Sequence, residues 1–234
     1  MHTTDQGQPT ADSSPTRDAA VRAWWAVGSA AVVVALLAWA VVVGWSPVLR
    51  VDRAVSETLY AGDDRSRLVD SVLQVATAPG LSAVRGVVFL PVLAWLVLRR
   101  AWWTAAFVVA AAALVSPLTT LLKELIGRQR PQFARGGAGY ESLSYPSGHA
   151  SGVAALVTVA LVLAWPRLTR TARRTWLAAG VALVLLVGLT RVWLGVHYPS
   201  DVVGGWALGV GFTLLTAALF GALPGGRAAL PPPP

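Results

Sequence analysis

A succession of long apolar runs constrains this chain more than anything else in it. Several approach or exceed the roughly 20 residues that cross a bilayer as a helix. In hydrocarbon every backbone N–H and C=O must be satisfied internally, and a single segment can do that only as a helix. The fold class read from this is all-α, a polytopic membrane protein. Six spans are placed at about 24–45, 83–98, 102–122, 149–165, 176–196 and 201–220. Composition agrees: 55% of the 234 residues are apolar and 13% charged, about half the charged share of soluble domains. Between the spans no stretch is long enough for a soluble domain. Residues 1–20 read as a polar, disordered tail, 21–220 as the membrane domain, and 221–234 as a flexible, proline-ended terminus. Residues 1–20 lack the basic region of a signal peptide, and the run after them is long. The first span therefore reads as an uncleaved helix, with cleavage near Ala38-Trp39-Ala40 as the alternative.

The second span is the weakest, with Arg85 near one end and Pro91 inside. Arg85 is expected to snorkel to the interface. Short basic loops set the orientation. Arg99-Arg100 and the group Arg167, Arg170, Arg173 and Arg174 are expected in the cytoplasm, which puts both termini inside. The absence of cysteine excludes disulfides, thiol nucleophiles and zinc sites of the CxxC type. The net charge of +8 is scattered between spans and forms no basic stripe. Nucleic acid is therefore not an expected partner, whereas anionic lipid headgroups are.

Three polar stretches interrupt the apolar pattern: KELIGRQRP (Lys123 to Pro131), PSGH (Pro146 to His149) and TRVWLGVHYPSD (Thr190 to Asp201). The first ends the third span, the second opens the fourth, and the third crosses the turn between the fifth and sixth. An odd span's end and the next span's start share a side, so hydropathy alone puts all three on one face. Lys123 and Arg130 are seven residues apart and share a face if the helix continues. Arg191 lies inside an apolar span, where an ionisable residue points to function. Three converging cations suit a multiply charged anion such as phosphate. Ser147-Gly148 at a helix start adds a hydroxyl and free backbone N–H groups for the same ligand. Two histidines beside such a cup suggest phosphoryl transfer through an imidazole, the other imidazole protonating the leaving oxygen. Asp201 is four residues after His197 and would fix its tautomer and stabilise its positive charge. On that ground His197 is assigned as nucleophile and His149 as acid. Pro199 interrupts the interval, so the His197–Asp201 pair is expected to be joined across a helix start.

The ordered pattern Lys123-x6-Arg130-Pro131, then Pro146-Ser147-Gly148-His149, then Thr190-Arg191-x5-His197-x3-Asp201 resembles the type 2 phosphatidic acid phosphatase superfamily. The motifs cover 79 residues, and the six-helix layout extends the resemblance over most of the chain. Thr190 stands where the family pattern has serine; the hydroxyl is kept. The resemblance implies a metal-independent lipid phosphatase with a phosphohistidine intermediate and no cofactor. It implies phosphate contacts from Lys123, Arg130, Ser147, Gly148 and Arg191, and catalytic roles for His149, His197 and Asp201. Substrates of the implied class include undecaprenyl diphosphate, phosphatidic acid and phosphatidylglycerol phosphate.

Other polar residues read differently. Arg128 and Arg135 are expected to be solvated or lipid-facing. Tyr140, Glu141 and Tyr145 lie in the loop over the site, where any could shape a pocket. Gly204-Gly205 reads as close helix packing, and His2 carries no argument. A metal at His149, His197 and Asp201 is disfavoured, because three nearby cations repel a dication and no second carboxylate is evident. The competing functions are a lipid phosphotransferase using the same histidine and a non-enzymatic anionic-lipid transporter. The metal-free reading predicts phosphate release that survives EDTA and is blocked by vanadate, whose five-coordinate geometry mimics phosphoryl transfer. Loss of turnover in EDTA, restored by magnesium or zinc, would overturn it.

Overall fold

The computed structural model describes residues 14–133 and 142–231. Arg135, Tyr140, Glu141 and His2 lie outside the described residues. Among the described residues the regular structure is helical: α1 (Ser14–Val42), α2 (Ser46–Leu59), α3 (Arg67–Thr77), α4 (Ser82–Leu98), α5 (Trp102–Ile126), α6 (Gly148–Ala164), α7 (Arg170–Trp193) and α8 (Pro199–Phe220). Short 3-10 turns at Ala78–Gly80 and Trp165–Arg167 follow α3 and α6. Helices α1, α5, α6, α7 and α8 are each long and apolar enough to cross a membrane. A sixth span arises if α3 and α4, bent by 50° at their junction, count as one.

The expected spans correspond to α1 and α4–α8. Helices α2 and α3 are additional. Their sequence, 46–77, carries Arg50, Asp52, Arg53, Glu57 and a run of aspartates, so no window there is apolar enough to signal a span. Each instead buries a narrow stripe: Asp52 and Ser56 on α2, Leu73 and Thr77 on α3. α3 opens on Ser66, whose hydroxyl accepts the Val69 N–H, an N-cap of the preferred kind.

Helix α8 is the hub, packed against α6, α1 and α5. Small residues permit this. A Cβ added at Gly205 would lie 2.6 Å from the Ser147 carbonyl oxygen, and one at Gly209 would lie 2.3 Å from that of Ser151. The backbones of α6 and α8 therefore meet without intervening side chains, as small-residue stripes allow in membranes. Large apolar side chains on the outward faces, such as Leu36, Leu90, Leu125 and Leu185, are exposed, as lipid-facing positions should be.

Two expectations need correction. Arg85 does not snorkel: it is 2% exposed. Its guanidinium donates to the Gly80 carbonyl at 2.8 Å and to Ser116 Oγ at 2.6 Å. The α3–α4 bend supplies that carbonyl inside the bundle, which makes burial cheaper than the long reach to water. Residues 221–231, expected to be a flexible terminus, pack instead. Ala222 and Ala228 are buried in the cluster around Phe89, Leu96, Phe107 and Val108. Thr104 donates to the Ala228 carbonyl at 2.8 Å, and Arg227 lies 3.6 Å over the Trp103 ring.

Substituting Gly209→Ala should force the α6 and α8 backbones apart. Overpacking of this kind costs about 1–3 kcal/mol. The expected readout is a lower unfolding midpoint of the purified protein in detergent. An unchanged midpoint would contradict the close approach.

Candidate active site

The polar residues gather where the ends of α5 and α7 meet the starts of α6 and α8. After Trp193 the chain turns through Gly195, at a left-handed φ of 69°, and re-enters as α8 with Pro199 in its first turn. Proline is favoured there because its missing N–H has no helical acceptor in any case. His197 sits in this turn, 2% exposed, and Asp201 is fully buried. Asp201 Oδ2 accepts the Tyr198 N–H at 2.8 Å, which caps α8. The pair is thus joined across a helix start, as expected. His197 Nδ1 lies 3.4 Å from Asp201 Oδ2 and 3.4 Å from Ser144 Oγ. The Ser144 hydroxyl donates to the same carboxylate oxygen.

The other ring nitrogen faces cations. His197 Nε2 is 3.3 Å from an Arg130 guanidinium nitrogen. A guanidinium can only donate, so Nε2 carries a lone pair and the ring proton belongs on Nδ1, toward the carboxylate. Burial pushes the His197 pKa down to about 3; Asp201 opposes this, and the charges of Arg130 and Lys123 add to it. The imidazole is therefore neutral near pH 7.

Lys123 and Arg130 do converge, but not on a continuous helix. α5 ends at Ile126, and Gly127 caps it at a left-handed φ of 67°. Beyond that turn Arg130 doubles back on the segment that leads into PSGH. Lys123 donates to the carbonyls of Leu143 and Ser144. Arg130 donates to the Ser142 carbonyl at 2.7 Å, to Ser142 Oγ at 2.8 Å and to the Val196 carbonyl at 2.6 Å. The two cations thus fasten residues 142–144 between α5 and the His197 turn.

At the start of α6, Ser147 Oγ accepts the Ala150 N–H at 3.4 Å, and the Ser147 N–H donates to the Asp201 carbonyl at 2.9 Å. The N–H groups of Gly148 and His149 fall in the first turn, where no intrahelical acceptor exists. His149 is wedged against the 3-10 turn: a Cβ added at Gly80 would lie 2.7 Å from its Cβ. Arg191, His197, Arg130 and Arg85 all lie within electrostatic reach of His149. Arg191 is 6% exposed and donates to Thr77 Oγ1, at the end of α3, at 3.3 Å. Lys123 lies within electrostatic reach of Arg130, Asp201 and Arg191. Thr190 turns its hydroxyl back to the Val187 carbonyl at 2.6 Å. Tyr145, fully buried, donates to the Val34 carbonyl at 2.7 Å and so braces α1.

Arg128 is neither solvated nor lipid-facing; it is 9% exposed. Its guanidinium donates to Asp52 Oδ2 at 2.6 Å, Asp201 Oδ1 at 2.6 Å and Ser200 Oγ at 2.7 Å. It also lies 4.1 Å over the Tyr198 ring. Burial works against its charge, but Asp201 and Asp52 outweigh that and raise its pKa. Asp52 is also the second carboxylate that was not evident in the sequence. It accepts the Ser200 N–H at 2.9 Å and the Ser200 hydroxyl at 2.6 Å. The contributors not expected from sequence are therefore Asp52, Thr77, Arg85, Arg128, Ser144 and Ser200. Ser144 stands two residues before PSGH and Ser200 lies inside the third polar stretch, so both could have been flagged by position. Asp52 lies 76 residues from Arg128, and no local pattern joins them.

The PAP2 superfamily model matches residues 87–223. The chain belongs to the PAP2 superfamily. Among PAP2 relatives, "Decaprenylphosphoryl-5-phosphoribose phosphatase" of Mycobacterium tuberculosis is 35% identical over 178 residues, covering 70% of this chain and 88% of that protein. "Lipid A 1-phosphatase" of Rhizobium johnstonii is 37% identical over 129 residues, 50% of this chain and 48% of that protein. The chain thus spans about half the length of that relative. The crystal structure of a transmembrane PAP2-type phosphatidylglycerolphosphate phosphatase from Bacillus subtilis superposes with a TM-score of 0.66 at 26% identity. That match covers 83% of this chain and 96% of the other. The PAP2 match takes in all three polar stretches.

In this PAP2 chain, Lys123→Ala and Arg191→Ala are each expected to lower turnover by about 10²–10³-fold, the usual loss for one preorganised donor in a poorly hydrated site. Phosphate release and the elution profile of each purified variant would be compared. Near-normal turnover in a well-folded variant would place the anion elsewhere.

Proposed function

We propose that this protein is a membrane lipid phosphatase that hydrolyses a lipid phosphate or diphosphate through a phosphohistidine at His197. One observation carries the reading: the two ring nitrogens of His197 have opposite surroundings. Nδ1 faces the Asp201 carboxylate, and Nε2 faces the Arg130 guanidinium. A neutral imidazole held this way presents its lone pair to whatever anion Arg130 binds. The names of the relatives, all phosphatases of lipid-linked phosphates, support the same class of substrate.

In the first step the Nε2 lone pair forms a bond to phosphorus, and the bond from phosphorus to the lipid oxygen breaks. The electron pair leaves on that oxygen, which takes a proton from His149; the bound phosphate anion offsets the cations around that ring and so lets it carry the proton. Lys123, Arg130 and Arg191 offset charge on the phosphoryl oxygens, with Ser147 and the amides at the start of α6 contributing from the other side. Positive charge that develops on the His197 ring is stabilised by Asp201 through Nδ1–H. In the second step water attacks phosphorus and gives a proton to His149. The N–P electron pair returns to Nε2, and inorganic phosphate leaves.

The orientation follows from the opposite end of the bundle. Arg99-Arg100, Arg167 in its 3-10 turn, and Arg170, Arg173 and Arg174 at the start of α7 gather there, and positive-inside bias favours the cytoplasm for them. The site then opens on the extracytoplasmic side of a plasma membrane, where the phosphorylated head enters the cup and the tail stays in lipid. Water is the acceptor in this reading. Phosphate release with no added alcohol separates it from a phosphotransferase.

The two histidines should separate cleanly. His197→Ala should abolish turnover and covalent phosphate labelling. His149→Ala should still form some phosphoenzyme from an aryl phosphate, because a phenolate needs little protonation to leave. The measurement is acid-labile, base-stable phosphoprotein after rapid denaturation. Labelling in the His197 variant but not in the His149 variant would reverse the assignment.

A further inference from the structure

We propose that Arg128 is a positioning residue for the phosphoryl-transfer step, and that Asp52, on α2, acts on the same step through it. The proposal rests on His197 being the nucleophile and Asp201 its partner. The two oxygens of Asp201 have divided duties. Oδ2 takes the Tyr198 N–H and the Ser144 hydroxyl and faces His197 Nδ1. Oδ1 takes Arg128. A carboxylate with no exposed surface needs a cation or it stays ionised only at great cost. Neutral His197 cannot be that cation before the reaction begins. Arg128, 2.6 Å away, can.

The placement of Arg128 is itself overdetermined. Its second nitrogen is held by Asp52 at 2.6 Å, its first is shared with Ser200 at 2.7 Å, and its plane lies on Tyr198. Asp52 then fixes Ser200 through both its N–H and its hydroxyl. The first turn of α8 is therefore pinned from α2, and the Asp201 carboxylate cannot rotate away from His197 without breaking the Arg128 bonds.

The charge count points the same way. Among the described residues, Asp52 and Asp201 share one directly bonded guanidinium, two carboxylates to one contacting cation, while Lys123 reaches Asp201 only electrostatically. The cation that completes it is the His197 ring once its Nε2 has bonded to phosphorus. The cluster is thus complementary to the charged ring of the transition state and the intermediate rather than to the resting ring. The bonds of Arg128 and Asp52 run to one another, to Ser200 and to Asp201, on the Nδ1 side of His197, so their removal should impair the reaction step and spare the cup.

The test uses the purified protein in nanodiscs, with dioleoyl phosphatidic acid as substrate and inorganic phosphate as the probe of the cup. Arg128→Gln should lower kcat by about 10²-fold, comparable to losing one preorganised electrostatic contact. KM and phosphate affinity should hold, whereas affinity for vanadate, which mimics the transition state, should fall with kcat. Arg128→Lys should recover part of the loss, since a point charge can still reach Asp201 but cannot form the two-armed bridge. Asp52→Asn should lower kcat alone and add little in the Arg128→Gln background, because both act along one path. Should Arg128→Gln not fold, the isosteric Asp52→Asn with the same kcat and phosphate readouts still decides. Equal loss of phosphate binding and kcat would overturn the proposal in favour of direct anion contact, and strictly additive losses would overturn the link from Asp52 through Arg128. Wild-type protein that forms no phosphohistidine would overturn the parent reading together with this one.

Discussion

The site depends on how a completely buried carboxylate is satisfied. Asp201 has no exposed surface and accepts from Arg128, Ser144 and the Tyr198 amide while facing His197. Each partner comes from a different stretch of chain: the turn after α5, the segment before α6, and the start of α8 itself. Its backbone carbonyl also receives the Ser147 N–H, which ties the start of α6 to the start of α8. Removing this carboxylate would leave Arg128 with Asp52 as its remaining carboxylate, the Ser144 hydroxyl without this acceptor and the Tyr198 N–H without its cap. A network of this kind is costly when half-made, so its members are tied together by energy as well as by position.

Charge of opposite sign is sorted across the His197 ring. On the Nδ1 side lie Asp201 and, behind Arg128, Asp52; on the Nε2 side lies Arg130, with Lys123 within electrostatic reach of the ring. The ring is the boundary between an anion-loving cup and a cation-loving cluster. Burial, with the cations on the cup side adding to it, keeps the resting ring neutral, and carboxylates behind it accommodate the positive charge that bonding to phosphorus would create. Arg85, buried beneath the start of α6 with a carbonyl and a hydroxyl as acceptors, adds positive potential from below.

Much of this was legible in the sequence, and the limits have physical causes. Spans show themselves because hydrocarbon imposes a length and an apolar composition on any segment that crosses it, so α1 and α4–α8 follow from hydropathy. The three polar stretches show themselves because charge is so rare among such runs. Helices α2 and α3 do not, because their charged residues keep the segment too polar to read as a span. Arg128 was visible but misread. Its burial depends on Asp52, and a pairing across 76 residues leaves no local trace. The continuity assumed between Lys123 and Arg130 failed for a local reason: Gly127 takes a left-handed conformation and ends the helix. The cations still meet, because both bind carbonyls of the same three-residue segment. Arg85 shows the converse error. A charge near a predicted span end reads as an interfacial anchor, and only the α3–α4 bend reveals an internal carbonyl to receive it.

The close approach of α6 and α8 has a consequence for access. His149 rides on the first turn of α6 and Asp201 on the first turn of α8, and at Gly205 and Gly209 the two backbones touch without side chains as cushions. Rotation or sliding of one helix against the other would drive carbonyl oxygens into Cα atoms within a fraction of an ångström. The floor of the site therefore behaves as one rigid piece, which fixes the spacing between His149 and Asp201. Any yielding that admits a lipid head has to come from the walls. There the segment 142–144 is held by the side-chain tips of Lys123 and Arg130, flexible tethers that can exchange a carbonyl for an incoming phosphate oxygen without disturbing what lies beneath.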